Sequence, residues 1–284
     1  MGEPDITDWI GKVEEREDTL APVIASQLAA TMPECGLNPS DVRAGAPLPP
    51  LWHWSAFQPD APMEELGGDG HPKLGGFLPP VPLERRMWAG GRLTFHAPLH
   101  VGETLRRRSE ILNVTEKTGS TGRLVFVTVS HELKGDAGLA ISEEQDIVYT
   151  EMPSEYRPPK KKPAPDATAF DTYVPMTTAR LFRYSAATFN AHRIHYDRPY
   201  ATDVEKYPGL LIHAPMQATL LMGAAVRHRG TTPRRFSFRG VHPMFDFHDM
   251  RLVGVDDGDA IDLCTVATDQ GHQGLQARGE WGAS

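Results

Sequence analysis

Four ionisable or amide side chains fall within eight residues of the stretch FNAHRIHYDRPYA: Asn190, His192, His195 and Asp197, with Pro199, Tyr200 and Ala201 directly behind them. An imidazole titrates close to neutral pH, so a histidine beside a bound water can take its proton and later return it. Amide and carboxylate neighbours can orient that water. The residue types fit three readings. In the first, the stretch is a polar loop whose Asp197 and histidines satisfy backbone groups. In the second, His192, His195 and Asp197 offer imidazole and carboxylate ligands to a metal ion, with His213 needed to complete the shell. In the third, the histidines perform acid and base chemistry without metal.

The flanking pattern indicates what holds these residues. The spacing predicts a helix over 178–189 leading into the stretch, an irregular run to 207, and a second helix over 215–228. Pro215 stands at the first helical position, where a missing N–H costs nothing, and Met216, Leu220, Leu221, Ala224 and Ala225 form an apolar stripe. Strands are expected over 234–241, 249–256, 260–268 and 273–281, and in the first half over 92–99, 104–116, 123–134 and 138–149. The apolar spacing of 8–32 reads as two helices interrupted near Pro22. A proline- and lysine-rich run over 153–168 reads as an extended linker between a first unit, 1–152, and a second, 169–284. Helix followed by antiparallel strands in both halves gives an α+β class.

The motif resembles the signature of the MaoC-like and R-specific enoyl-CoA hydratases, D-x-N-P-[IV]-H-x-D-x-x-[FY]-A after a helix. The resemblance puts the family's catalytic histidine at His195 and its tail at Asp197, Tyr200 and Ala201. Asn190 stands where the family has a catalytic aspartate and His192 where it has an asparagine, so the proton-accepting carboxylate is missing at its usual place. A second stretch, GLLIHAPMQATLL over 209–221, is similar to the family's H-G-x-x-x-A-[ST]-L. It implies that the N–H of Ala214, at a helix mouth, forms the oxyanion hole. Together with YPGLLIHAP and PPVPLERRMWAGGRLTF, these motifs resemble the double hot-dog hydratases and dehydratases acting on mesaconyl, itaconyl and 3-hydroxyacyl thioesters.

That resemblance implies two curved antiparallel sheets, each wrapping a central helix, with a degenerate first hot-dog and a catalytic second. The implied activity is hydration of a short branched or dicarboxylic 2-enoyl-CoA, such as mesaconyl-C4-CoA or itaconyl-CoA, to citramalyl-CoA, with no cofactor and no metal. Dehydration of a 3-hydroxyacyl thioester or hydration of a straight-chain enoyl-CoA is the alternative; a hot-dog thioesterase and a non-catalytic acyl-CoA sensor are rivals from other classes. Arg85, Arg86 and Trp88 are expected at the rim of the acyl pocket, with Arg193 and Arg198 as competing partners for a substrate carboxylate and His213 beside the substrate. Arg234, Arg235 and Arg239 are expected to meet the CoA phosphates, the last two on one strand face. A net charge of -8 argues against binding nucleic acid through its phosphates. The two cysteines suggest no disulfide framework, and no apolar run suits a membrane span. A cytoplasmic protein is expected, with room for a homodimer of double hot-dogs.

Overall fold

The computed structural model describes residues 5–119 and 122–282. The first strand, β1 (Val13–Thr19), precedes helix α1 (Pro22–Thr31); the first half continues with β2 (Arg85–Phe95), β3 (Thr104–Gly119), β4 (Gly122–Gly135) and β5 (Gly138–Thr150). The second half holds β6 (Phe170–Val174), α2 (Thr178–Ala187), α3 (Ala214–Arg229), β7 (Arg235–Gly240), β8 (Met250–Asp257), β9 (Ala260–Ala267) and β10 (Gln273–Glu280). All ten strands form one antiparallel sheet in the order β1-β3-β4-β5-β2-β7-β10-β9-β8-β6, five from each half. Alternation explains the strands: in β4, Val125, Val127, Val129, His131 and Leu133 are buried while most of the residues between them stay half-exposed.

The halves meet where β2 pairs with β7 from Gly90↔Arg239 to Thr94↔Arg235. Close approach dictates glycine at this seam. A Cβ on Gly90 would lie 2.5 Å from the Phe238 carbonyl, and one on Gly91 would lie 2.9 Å from the Glu144 carbonyl. One apolar cluster runs across the seam, uniting Leu93, Leu105, Leu133 and Ile141 with Leu181, Met216, Leu220, Phe236, Leu252 and Ile261. Helix α3, buried from Met216 to Ala225 apart from the half-buried Gly223, packs on β8, β9 and β10, while α1 packs against α2. Gly230 closes α3 with a left-handed cap (φ 77°), and Arg227, His228 and Arg229 complement the dipole in its last turn.

β6 was not expected, β2 begins at Arg85 rather than Arg92, and the N-terminal segment departs most from the periodicity reading. The segment before Pro22 forms a short 3-10 turn, Ile6–Trp9, and then strand β1, rather than a helix. Its sequence, VEEREDT, offers β3 a row of acids, and β3 answers with Arg106, Arg107 and Arg108: Glu17 pairs with Arg106 at 2.9 Å and Glu14 with Arg107 at 3.8 Å. Complementary charge across the ladder decides the strand, and the periodicity of a single segment carries no trace of it. Among the described residues, no helix is long and apolar enough to cross a membrane.

Candidate active site

The motif begins where α2 ends. The chain leaves the helix through Phe189 in a left-handed conformation (φ 49°), and the Asn190 N–H returns to the Ser185 carbonyl at 2.8 Å. The Asn190 side chain then accepts the His192 N–H at 3.0 Å, closing a local turn. A 3-10 turn over Arg193–His195 follows. It swings His195 into the interior, where its ring is buried.

His195 Nδ1 lies 2.8 Å from the Leu211 carbonyl. A carbonyl only accepts, so Nδ1 carries the proton and Nε2 keeps its lone pair. Burial pushes the imidazole down to about 4, against the opposing pull of the Leu211 carbonyl and with some help from the positive charge His71 can carry. At neutral pH it is a neutral base. The Leu211 carbonyl is itself fixed, since the Leu211 N–H bonds the Ile194 carbonyl at 2.9 Å and the next N–H bonds Met244.

His213 stacks on His195 with ring centroids 3.6 Å apart and planes 18° apart, and its Nε2 is 2.8 Å from the Ser185 hydroxyl. It is also the N-cap of α3. Burial, and then the positive charge His195 can carry, hold it well below the ordinary imidazole range. Beyond it, the Ala214 N–H has no backbone acceptor among the described residues, Pro215 has no N–H, and the next satisfied donor is Gln217, bonded to the His213 carbonyl at 3.1 Å. The positive end of a 16-residue helix therefore opens beside the stacked pair. A lone-pair nitrogen next to free backbone donors is what proton abstraction from water, with a developing oxyanion, requires.

The first half contributes a group that sequence reasoning missed. The loop Gly67-Gly68-Asp69-Gly70-His71 docks on the motif: the Arg193 N–H donates to the Asp69 carbonyl at 2.9 Å and Arg193 Nη1 to the Gly68 carbonyl at 2.9 Å. Gly70 has φ 90°, and a Cβ there would lie 2.0 Å from the Ala191 carbonyl. The loop brings the His71 ring to 4.2 Å from that of His192, which stands edge-on to His195 at 5.5 Å. His71 Nδ1 is 2.9 Å from Asp69 Oδ2, and the His71 N–H bonds Asp69 Oδ1. Burial raises the Asp69 carboxyl, but the hydrogen bonds from His71 and the Arg86 charge outweigh it and leave the group below its ordinary value. A histidine and an aspartate inside a run of turn glycines were the available signal, about 120 positions from the motif they meet.

The other expected site residues divide. His192 is buried, with Nε2 3.9 Å from Glu205 Oε1. Asp197, expected in the chemistry, instead accepts Arg193 Nε at 2.9 Å and the Tyr200 N–H at 3.2 Å, which lower its carboxyl. Arg193 and Arg198, expected as carboxylate partners, are engaged within the protein: Arg193 joins Asp197 and Gly68 and covers the Tyr200 ring at 4.3 Å, and Arg198 pairs with Asp246. Arg85 pairs with the buried Glu205 at 2.8 Å and with Tyr207. Burial raises the Glu205 carboxyl, with Arg85 opposing. Arg86 has a looser contact, 4.0 Å from Asp69 Oδ2. Trp88 bonds the Gly90 carbonyl and lines a cavity of about 200 Å³ with Trp54, Phe57, Arg107, His131 and Thr188. Arg234, Arg235 and Arg239 are exposed; Arg235 and Arg239 alternate with buried Phe236 and Phe238, and Arg239 lines an open groove of about 700 Å³ with Arg92, Asp146, Gln276 and Arg278. A phosphate held there would lie across the sheet from α3.

As a metal site, the motif does not assemble: Asp197 turns to Arg193 while His195 turns to Leu211. Among the described residues, the group whose donor atoms come within 4.8 Å of one another is Asp69, His71 and His192. The Arg86 guanidinium opposes a cation there, and the Asp69–His71 hydrogen bond already uses donor atoms of that set. The set suits a hydrogen-bonded dyad.

Comparison with known proteins agrees with this geometry. The family model described as hydroxyacyl-thioester dehydratase type 2 matches residues 51–246. A mesaconyl-C(4)-CoA hydratase of Chloroflexus aurantiacus is 46% identical, with 99% of this chain and 100% of that protein covered. Among solved structures, a MaoC-like dehydratase superposes with a TM-score of 0.72 at 13% identity, covering 96% of this chain and 98% of the other. A Mycobacterium tuberculosis protein described as having a double hot-dog fold superposes with a TM-score of 0.58 at 14% identity, covering 95% of each chain. The double hot-dog architecture expected from the motifs is thus present, its two sheets fused into one along β2 and β7.

Proposed function

This chain belongs to the hydroxyacyl-thioester dehydratase type 2 family, and we propose that it is an acyl-CoA hydratase adding water to the double bond of a short dicarboxylic 2-enoyl-CoA. The observation that carries the reading is the His195 ring, held as a lone-pair base by the Leu211 carbonyl and stacked on the histidine that caps α3. His195 Nε2 takes a proton from water, and the oxygen bonds to the β-carbon. The alkene electron pair moves toward the thioester, whose oxygen becomes an enolate facing the Ala214 N–H. The α-carbon then takes a proton and the thioester carbonyl is restored. Every step reverses, so the same groups dehydrate a 3-hydroxyacyl thioester.

Mesaconyl-C4-CoA, hydrated to citramalyl-CoA, is the substrate favoured by the 46% identical hydratase, with itaconyl-CoA next. Of the arginines near the motif, Arg86 has the loosest carboxylate contact, 4.0 Å from Asp69 beside its contact with Tyr149, whereas Arg85, Arg193 and Arg198 are paired closely with Glu205, Asp197 and Asp246; Arg86 is the partner assigned to a distal carboxylate. A cytoplasmic homodimer belongs to the same proposal. Product mass spectrometry on mesaconyl-C4-CoA, itaconyl-CoA and crotonyl-CoA tests the reaction. Wild type is expected to yield a product about 18 mass units heavier, the OH on the β-carbon and the H on the α-carbon, and His195→Gln to lose it. Free CoA thiol without hydrated product would make the protein a thioesterase, and equal turnover in both proteins would remove His195 from the mechanism.

A further inference from the structure

We propose that Asp69 and His71, delivered from the first half of the chain, form a proton-holding dyad for the site, with His71 the exchanging group and Asp69 its positioning residue. The inference rests on the hydratase reading and supplies what the motif lacks. An amide at Asn190 exchanges no proton, and its oxygen is already tied to the His192 N–H. Of the four clustered imidazoles, His71, His192, His195 and His213, His71 is the one hydrogen-bonded to a carboxylate.

The need for a holder follows from His195 itself. A base so weak takes a proton from water but stabilises the resulting imidazolium poorly, for among the described residues its ring bonds a neutral carbonyl and its stacked neighbour, His213, is a neutral imidazole that supplies no counter-anion. Asp69 offers the compensating anion. His192 bridges the two, its ring 4.2 Å from His71 and 5.5 Å from His195, with a ring nitrogen within 4.8 Å of one on His71. His195 takes a proton from water; His192 accepts one on the nitrogen toward His195 and gives up one from its other nitrogen toward His71, each hop carried by one intervening water because the rings are not directly hydrogen-bonded, and the reverse hops return a proton to the α-carbon. Each N–H bond formed is matched by one broken, and no net charge enters or leaves. The charged and titratable groups facing His71 are Asp69 and Arg86 from the first half and His192, His195 and, past His192, Glu205 from the second. Burial carries His71 below the ordinary imidazole value, with Arg86 adding to the fall and the Asp69 carboxylate opposing it.

The test uses the full-length protein with His71→Gln and Asp69→Asn. With whichever enoyl-CoA wild type hydrates, His71→Gln is expected to lower kcat roughly a hundredfold with little change in KM. The acid limb of its pH profile is expected to move down toward the value near 4 set by His195. Asp69→Asn is expected to lose less, since the imidazole remains, and added imidazole is expected to restore part of the His71→Gln activity. Imidazole NMR titration gives a readout independent of turnover: His71 is expected to protonate before His195 as pH falls, and Asp69→Asn to lower its midpoint. An unchanged acid limb in His71→Gln, or protonation of His195 ahead of His71, would overturn the dyad while leaving the hydratase intact. A folded wild type that hydrates none of the three thioesters would overturn the hydratase, and the NMR order would still decide whether the dyad holds protons.

Discussion

Replacing Gly70 with alanine puts one methyl group where the two halves of the site meet. Its Cβ would lie 2.0 Å from the Ala191 carbonyl, well inside any tolerable contact, and the backbone sits at φ 90°, which L-residues rarely adopt. The docked loop cannot absorb the group, so the loop must lift. Lifting forfeits the hydrogen bond from the Arg193 N–H to the Asp69 carbonyl, worth about 1 kcal/mol, and the charged one from Arg193 Nη1 to the Gly68 carbonyl, worth about 1.5–3 kcal/mol. The lower chain entropy of alanine returns about 0.4–1 kcal/mol. The net loss is about 1.5–3.5 kcal/mol, or roughly 3–6 °C in Tm for a chain of this size. Gly45→Ala is the control, because Gly45 has φ 79° with nothing within 4 Å of its Cβ, so it carries the backbone strain alone, about 1 kcal/mol. Differential scanning calorimetry of both variants, with hydration assayed in parallel, separates docking from strain. If Gly70→Ala melts no lower than Gly45→Ala and keeps its activity, the loop is not held as described.

Arg86→Met is expected to raise KM for a dicarboxylic enoyl-CoA by tenfold or more while leaving crotonyl-CoA within about threefold, as roughly 1.5–3 kcal/mol attends a charged hydrogen bond; parallel kinetics on the two thioesters check it. Glu205→Gln leaves Arg85 buried without its anion and is expected to cost about 3–5 kcal/mol, read from urea unfolding. Acid should weaken the fold before it touches the carboxylates. Burial lowers His131 and His195 to about 4 in the folded chain, against the opposing pull of Glu143 on the first and of the Leu211 carbonyl on the second, so between the ordinary value of 6.5 and about 4 the unfolded chain binds protons that the folded one refuses. Each contributes about 1.4 kcal/mol of lost stability per pH unit in that window and nothing further below it. Urea midpoints at pH 7, 6 and 5 are expected to fall steadily, and a flat series would show that the histidines are not buried neutral.

How far the site could be read from sequence depended on whether its parts are neighbours along the chain. His192, His195, His213 and Ala214 lie on one continuous stretch between two helices, and their order there sufficed to place Ala214 at the helix mouth, while the stacking of His213 on His195 became visible only in the fold. Most strands were legible too, because in β4 and β7 one face is apolar and the other polar. β1 was not, since what makes it a strand is the arginines of β3, distant in sequence. The Asp69–His71 pair was missed for the same reason: its chemistry depends on a docking contact, and a glycine-rich loop has no periodicity to announce one. Arg193 and Arg198 show the reverse case. Proximity to His195 in sequence suggested substrate contacts, and the fold adds partners that sequence did not announce, the i, i+4 carboxylate of Asp197 and the distant Asp246.

The seam between β2 and β7 changes the status of the linker. Residues 157–163 are exposed, while the halves hold each other through five paired residues of the sheet, a shared apolar core and the docked glycine loop. Once folded, the chain therefore behaves as a heterodimer whose subunits happen to be tethered, and the tether's contribution is effective concentration during assembly. Cleavage between 158 and 161 is expected to leave an active two-fragment complex. The two halves expressed as separate polypeptides are expected to complement each other in trans, each bringing histidines the other lacks.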